Sequence, residues 1–333
     1  MWSSGFVVLL LALLLDYLLA DPQAWLHPVQ VMGWIIQHLS QIIFQSLKSP
    51  LALRVSGIFL GGFLVIGSGV VSWGFIQATE MVSLQFPLQP LLTIGLESLL
   101  LASCFAGRSL RNAALSVLQY LAANNLAAAR QQLSFYVGRD TDDLSEAEIL
   151  RAVLETVSEN ATDGVMAPLF YGMVGLAIPG IGAVPLAFAY KASSTLDSMV
   201  GYREAPYTDL GWFSAKLEDI LTWLPCRLTV LTIAILSGRP RTVLQLCWRD
   251  AVHDPSPNAG WSECAYAAAL GVQLGGANRY KGITKHKPYL GEPHQPITRQ
   301  IIHQALRLTR HSIFAWYGVV LLMQFVTQAF NNW

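Results

Sequence analysis

Three acids recur at helical spacing in "ETVSENATDGVMAPLFYG": Glu155, Glu159 and Asp163 stand at i, i+4 and i+8. A helix that continues a turn past residue 160 would carry all three on one face, with Gly164 closing it. Like charges stacked in this way repel unless a cation lies among them. A divalent metal held by carboxylates and substrate phosphates is one such cation; a solvated helix face explains the spacing equally. The chain then turns apolar and rich in Gly and Pro, which tilts the balance towards acids at the threshold of a membrane.

Three other stretches gather reactive side chains. "YKASSTLDSMVGYREAPYTDLGWFSAKLEDI" contains Lys191, Ser193, Ser194, Thr195, Asp197, Arg203, Asp209, Lys216 and Asp219. Cations beside hydroxyls suit phosphate oxygens, and acids suit a metal or an amine. A cytoplasmic juxtamembrane loop has the same composition. "RDAVHDPSPNAGWSECAYAAALGVQLGG" sets His253 and Asp254 before a Pro-Ser-Pro-Asn turn, followed by a helix of small residues with Glu263 in its early turns, where the dipole favours acids. His253 fits an acid/base role or a loop histidine with a structural hydrogen bond. "DPQAWLHPV" carries Asp21 and His27 among turn-forming prolines, and Glu97 sits in an apolar stretch where a carboxylate needs a partner or a cavity. The phosphate-cradling G-x-x-x-x-G-K-[ST] and G-x-G-x-x-G patterns are absent, as are H-E-x-x-H and G-x-S-x-G.

The elements that must position these residues are mostly apolar. Of 333 residues, 53% are hydrophobic and 13% charged, with zero net charge and a mean hydropathy of +0.43. Soluble domains carry about a quarter charged residues, so an integral membrane protein is expected. The neutral balance suggests no nucleic-acid partner, and Cys104, Cys226, Cys247 and Cys264 lack disulfide or zinc spacing. Apolar runs predict spans near residues 4–20, 55–76, 90–106 and 312–330. Residues 165–189 and 218–237 are weaker, being interrupted by prolines. Residues 28–47 read as an interfacial helix, with Met32, Ile35, Ile36, Leu39, Ile42, Ile43 and Leu47 on one face and Gln37, Gln41 and Gln45 opposite.

Residues 107–163 read as a soluble helical insertion: a hairpin broken at Asn124-Asn125 and stopped at Gly138, then a helix with Ser145 and Glu148 in capping-box spacing. Residues 238–311 form a second polar segment in which "KHKPYLGEPHQP" reads as a loop. No Lys or Arg occurs between Arg54 and Arg108 or after Arg310, so the segments around Gln77 to Gln89 and after Trp316 are expected to face away from the cytoplasm. Single crossings at 165–189 and 218–237 would put Lys191, Arg203 and Lys216 on the wrong side. Half-length or re-entrant helices in both places resolve this. The expectation is an all-α, polytopic integral membrane protein forming one domain over residues 1–333, with broken or re-entrant helices and cytoplasmic helical segments.

Taken together, "DPQAWLHPV", "VGRDTDDLSEAEILRAVLETVSENATDGVMAPLFY", "YKASSTLDSMVGYREAPYTDLGWFSAKLEDILTWLPCRLT" and "SPNAGWSECAYAAALGVQLGG" resemble the adenosylcobinamide-phosphate synthase family, CobD/CbiB, of cobalamin biosynthesis. The resemblance runs in order from about Asp16 to Arg310, and Ser194, where the family favours Asn, is one departure. It implies an inner-membrane ligase that joins adenosylcobyric acid to (R)-1-amino-2-propanol O-phosphate with ATP and Mg²⁺, through an acyl phosphate. Lipid and other cobalamin-assembly membrane proteins are the implied partners. On this resemblance Glu159, Asp163 and Asp197 are metal candidates, and Lys191, Thr195, Arg203 and Asn160 are nucleotide contacts. Asp209, His253 and Asp254 are candidate proton acceptors, and Asp21, His27, Asn258 and Glu263 are substrate contacts. A non-catalytic membrane sensor or assembly protein related to the family is the competing reading, and a transporter is a third.

Overall fold

A computed structural model describes residues 2–19, 27–83 and 89–331. Asp21 lies outside them. The chain divides into two compact units. The first comprises residues 1–106, 167–222 and 319–333; the second comprises 107–166 and 223–318. The two polar segments that are far apart in sequence thus belong to one unit.

The first unit is helical. It holds α1 (Trp2–Leu18), α2 (Pro28–Ser46), α3 (Pro50–Ser83), α4 (Gln89–Ala102), α8 (Ala167–Ala177) and α9 (Ala183–Val200). α2 starts on its prolines, with His27 as N-cap accepting the Val29 N–H at 3.3 Å. Its buried residues are Met32, Ile36 and Ser40, a narrower stripe than the predicted apolar face, since Ile42 is exposed. α3 is one helix of 34 residues, and its outward side chains include Phe59, Phe63, Ile66 and Val71. A cavity of about 610 Å³ opens among Met32, Ile35, Phe63, Leu64, Val71 and Phe188. It is almost wholly apolar.

Residues 165–189 are not one helix. α8 and α9 fold back on each other around the turn at 178–182. Gly175 makes that closeness possible, since a Cβ there would stand 2.1 Å from the Gly182 carbonyl oxygen. The expected half-length helix at 218–237 is corrected: α10 (Trp212–Leu236) runs unbroken for 25 residues through Pro225. At about 1.5 Å per residue it reaches about 37 Å, enough for a hydrocarbon core of about 30 Å. Proline lacks an N–H and leaves the carbonyl four residues earlier unpaired. Here that carbonyl is Leu221's, and the Tyr171 hydroxyl donates to it at 2.9 Å. A helix-breaking residue is thereby tolerated.

Two helices, Pro50–Met81 and Trp212–Leu236, are long and apolar enough to cross a membrane; the bent pair Pro90–Ala102 and Gly107–Ala122 would make a third. The predicted span 312–330 is the outer part of α13 (Arg299–Asn331), which shows Phe314, Leu322, Met323 and Phe325 on its surface.

The second unit contains α5 (Gly107–Ala122), α6 (Leu126–Ser134) and α7 (Glu146–Ala161), then α11 (Pro240–Asp250), α12 (Ala259–Leu270) and parts of α10 and α13. Asn124 takes a positive φ and Asn125 caps α6, so the hairpin breaks where its asparagines predict. Ser145 and Glu148 form the capping box of α7. Ile149, Val153 and Val157 are buried in the unit's core with Leu121, Tyr266 and Ile302.

Two expectations are overturned here. The chain is not all-α, because β1 (Gln273–Tyr280) and β2 (Ile283–Gly291) pair antiparallel, and β2 is the start of the segment read as a loop. Its Lys-His-Lys-Pro composition lacks the β-branched signature of a strand. Nor does Gly164 end a helix. Residues 162–166 form a π-turn and the chain continues directly into α8. The wider turn gives room near Pro168, whose ring would clash with a regular helix's preceding turn.

Tyr171→Phe should lower the unfolding free energy by about 1 kcal/mol, the worth of a satisfied buried carbonyl. The loss should shrink in a Pro225→Ala background, where residue 225 regains its N–H. Thermal unfolding of the four proteins in detergent measures the coupling.

Candidate active site

The buried carboxylate of Glu155 organises the second unit. It lies on α7 and is 2% exposed. Arg139 and Arg151 both reach it, the latter at 3.6 Å, and the Gly275 N–H donates to it at 3.1 Å. Both arginines also donate to the Asn278 Oδ1 of β1, at 2.8 and 3.1 Å. Gly275 sits in a bulge of β1 with φ +85°, and a Cβ would stand 1.9 Å from the Pro288 carbonyl oxygen. Only glycine permits both the left-handed backbone and the contact. The cation expected among the three stacked acids is, for Glu155, a pair of arginines.

Glu159 is not ion-paired with those arginines and feels Arg139 only as the smallest of its influences. It is one turn along α7, partly buried, and faces the charges of Lys287, Asp254 and Glu155. Glu263 of α12 is fully buried, with Oε1 3.2 Å from the Lys287 Nζ of β2 and Oε2 without a hydrogen-bond partner. Burial is the largest influence on Glu263, and Glu159, Glu155 and Asp254 add to it against Lys287. Its carboxyl is pushed up to about 8. Glu159 is raised in the same direction, again first by burial. Burial opposes the charge on Lys287, but Glu263, Glu159, Asp254 and Glu155 outweigh it and hold the ammonium above its usual range. Asp254 follows a 3₁₀ turn at Ala251–His253 and accepts the Ser256 N–H at 2.8 Å through Oδ1; its Oδ2 is buried and unpartnered.

The surroundings are locked by polar contacts. Ser262 donates to the Ser158 carbonyl at 2.6 Å and meets the Thr162 hydroxyl at 2.7 Å, tying α12 to the start of the π-turn. Asn258 is buried; its Oδ1 accepts from Arg227 at 3.1 Å, and that guanidinium lies 4.4 Å from the Trp261 ring centroid. At the far end of β2, Asp250 accepts from Arg249 and from the Gly291 N–H at 2.9 Å.

The predicted residues are distributed over both units. Glu159, Asp254 and Glu263 converge, and Asn258 lies in the same unit held by Arg227. Asp163, in the π-turn, is partly buried, and its register relative to Glu159 is no longer that of a continuous α-helix. Asn160 is exposed and bonds the Thr156 carbonyl of its own helix, and His253 is exposed. Lys191, Thr195, Asp197, Arg203 and Asp209 belong to the first unit. There Thr195 donates to the Lys191 carbonyl at 2.7 Å, and Asp209 pairs with Arg54 at 2.8 Å. His27 caps α2. Among the described residues no three His, Cys, Asp or Glu side chains converge as a metal cage.

Several functional side chains carried no motif. Lys287 sat in the segment read as loop, and Arg139 and Arg151 are separated from β1 by more than a hundred residues of chain. Glu218 on α10 is buried, bonded by Thr222 and by Tyr190, whose hydroxyl meets Thr222 at 2.8 Å. The i, i+4 spacing of Glu218 and Thr222 is the only sequence signal for it.

Membrane-length helices with a polar unit built round buried charge define a helical membrane-type protein with a chemically equipped interior. The CobD/Cbib protein family matches residues 9–309. The chain is 52% identical over 303 residues to the cobalamin biosynthesis protein CobD of Synechocystis sp., covering 91% of this chain and 86% of that one. It is 39% identical over 302 residues to the cobalamin biosynthesis protein CbiB of Salmonella typhimurium, covering 90% and 91%. No solved structure matches. The chain belongs to the CobD/CbiB family, and its place is in cobalamin biosynthesis.

Glu155→Gln should cost about 3–5 kcal/mol, because it leaves buried guanidinium charge uncompensated; chemical denaturation measures it. A second test uses pH. With its folded value about 8 against 4.5 when unfolded, Glu263 binds more protons in the native state between those values. Stability should fall as pH rises through that window, and Glu263→Gln should flatten the slope.

Proposed function

We propose that this protein is an ATP-dependent amide-forming ligase that joins adenosylcobyric acid to (R)-1-amino-2-propanol O-phosphate, giving adenosylcobinamide phosphate. The observation that supports it is the gathering of Glu159, Asp254 and Glu263 round Lys287 in a protein of the cobalamin-biosynthesis family. A carboxylate does not condense with an amine in water, because its carbonyl is deactivated and the amine is protonated. Phosphoryl transfer from ATP to the substrate carboxylate makes an acyl phosphate and releases ADP. The amine nitrogen then attacks the acyl carbon, phosphate departs, and the nitrogen gives up a proton. Glu159 and Glu263, both of raised proton affinity and beside a fixed ammonium, suit the handling of that amine and its proton. Asp254, with one free oxygen, is the proposed acceptor; the exposed His253 and the Arg54-paired Asp209 are weaker candidates.

Lys191, Arg203 and Thr195 are proposed to contact nucleotide phosphates, as cation and hydroxyl donors do for a transferring phosphoryl group. Mg²⁺ is proposed as part of the ATP complex only. Glu159, Asp163 and Asp197 do not form a cage among the described residues, so no step here passes through a protein-held metal. The protein is proposed to sit in the bacterial inner membrane with this chemistry on the cytoplasmic side.

Purified protein given ATP, Mg²⁺, adenosylcobyric acid and aminopropanol phosphate should form amide and ADP in equal amounts. Hydroxylamine in place of the amine should trap a hydroxamate. Corrinoid binding with neither ADP nor amide would sink the ligase reading in favour of a sensor or assembly role. Lys191→Ala should reduce turnover at least about tenfold through loss of a charge-assisted phosphate contact.

A further inference from the structure

Charge in the second unit is unequally compensated. Glu155 is satisfied by Arg139, Arg151 and the Gly275 N–H. The remaining Glu159, Asp254 and Glu263 lie in the field of Lys287, which contacts Glu263 at 3.2 Å, and Arg139 adds a smaller attraction at Glu159. Two of them keep an oxygen with no partner: Oε2 of the fully buried Glu263 and Oδ2 of Asp254. Buried polar groups are normally paired, and orphaned carboxylate oxygens are costly, so they mark where something else binds. What is missing is positive charge carrying N–H donors.

We infer that Glu263, Asp254 and Glu159 form the binding pocket for a primary ammonium, the amine end of the second substrate. Glu263 is fully buried, while Glu159, Asp254 and Lys287 are each partly exposed. A primary ammonium has three N–H donors and one positive charge, which suits two orphan oxygens of acids that can release a proton as the cation arrives. It donates to oxygens spaced at hydrogen-bond distances, whereas a small divalent metal needs ligands drawn in to about 2.0–2.1 Å. No such convergence occurs among the described residues. Lys287 occupies one oxygen of Glu263 and leaves the other without a partner. An alcohol or carboxylate in the same place would leave the charge uncompensated. This assignment rests on the amide-ligase reading and adds to it the residues that recognise the amine.

The test uses the full chain in detergent with aminopropanol phosphate and its deaminated analogue, propanediol phosphate. Glu263→Gln and Asp254→Asn should each raise KM for the amine about tenfold or more, the equivalent of a lost charge-assisted hydrogen bond. KM for ATP, Mg²⁺ and adenosylcobyric acid should stay within about twofold. Direct binding of aminopropanol phosphate should weaken in parallel, while that of propanediol phosphate, already weak, should not change. Asp254→Asn on its partly exposed turn guards against a Glu263 variant that fails to fold. An unchanged amine KM in both folded variants overturns the assignment. So does a rise confined to the Mg²⁺ or ATP requirement, which would make the pocket a metal or nucleotide site. If wild-type protein traps no hydroxamate, the ligase reading fails on its own, and the direct binding measurement still decides the pocket.

Discussion

A buried carboxylate must be compensated, and the second unit is arranged round that requirement at Glu155. Burying an isolated charge is prohibitive, whereas one met by two guanidinium groups and a backbone N–H is affordable. Arg139 approaches from the loop before α7, Arg151 from one turn along the same helix, and Gly275 from the bulge of β1. Because both arginines also hold Asn278 on β1, the ion cluster fastens the hairpin to α7. β2 pairs with β1, so Lys287 is placed beside Glu263 as a consequence. One electrostatic demand thus sets the position of the only strand pair among the described residues and of the cation in the candidate site.

The same acids behave differently one turn apart. Glu155 is consumed by structure; Glu159 lies among carboxylates, with Lys287 the larger and Arg139 the smaller attraction. Three factors act on Glu263: burial raises its proton affinity, the neighbouring acids raise it further, and Lys287 pulls it down. The first two win. A group held there is neither a plain anion nor inert, which is the condition for handling a substrate's proton near neutral pH. The π-turn that follows α7 matters too, since it changes the angular register from Thr162 onwards, where Asp163 lies.

In the first unit the governing constraint is backbone satisfaction rather than charge. At membrane depth, unpaired carbonyls are expensive, so irregularity survives only where a side chain repairs it. Tyr171 repairs the carbonyl that Pro225 strands in α10. Gly175 lets α8 and α9 close against each other, and Trp73 donates to the Gly180 carbonyl at 2.9 Å in the turn between them. These contacts keep a proline-interrupted stretch helical.

Much of this was legible in the chain alone. Apolar runs located the helices because a long run of unpaired polar backbone cannot be buried any other way, and the Ser145 capping box and Asn125 cap are local chemistry that needs no tertiary context. The family blocks were legible too, and so were Glu159, Asp254 and Glu263 as residues of interest. Tertiary structure alone decided which acid is structural. Arg151 stands at i,i+4 spacing from Glu155 on α7, but the other partners of Glu155, Arg139 on the loop before α7 and Gly275 on β1, cannot be reported by spacing along that helix. The hairpin stayed hidden because its strands rely on glycine, lysine and asparagine, whose place in a sheet comes from Glu155, Arg139 and Arg151 rather than from their own propensity. Local sequence therefore determined the helices and the inventory of reactive groups. Long-range electrostatics, acting on charges too costly to bury singly, determined how they combine.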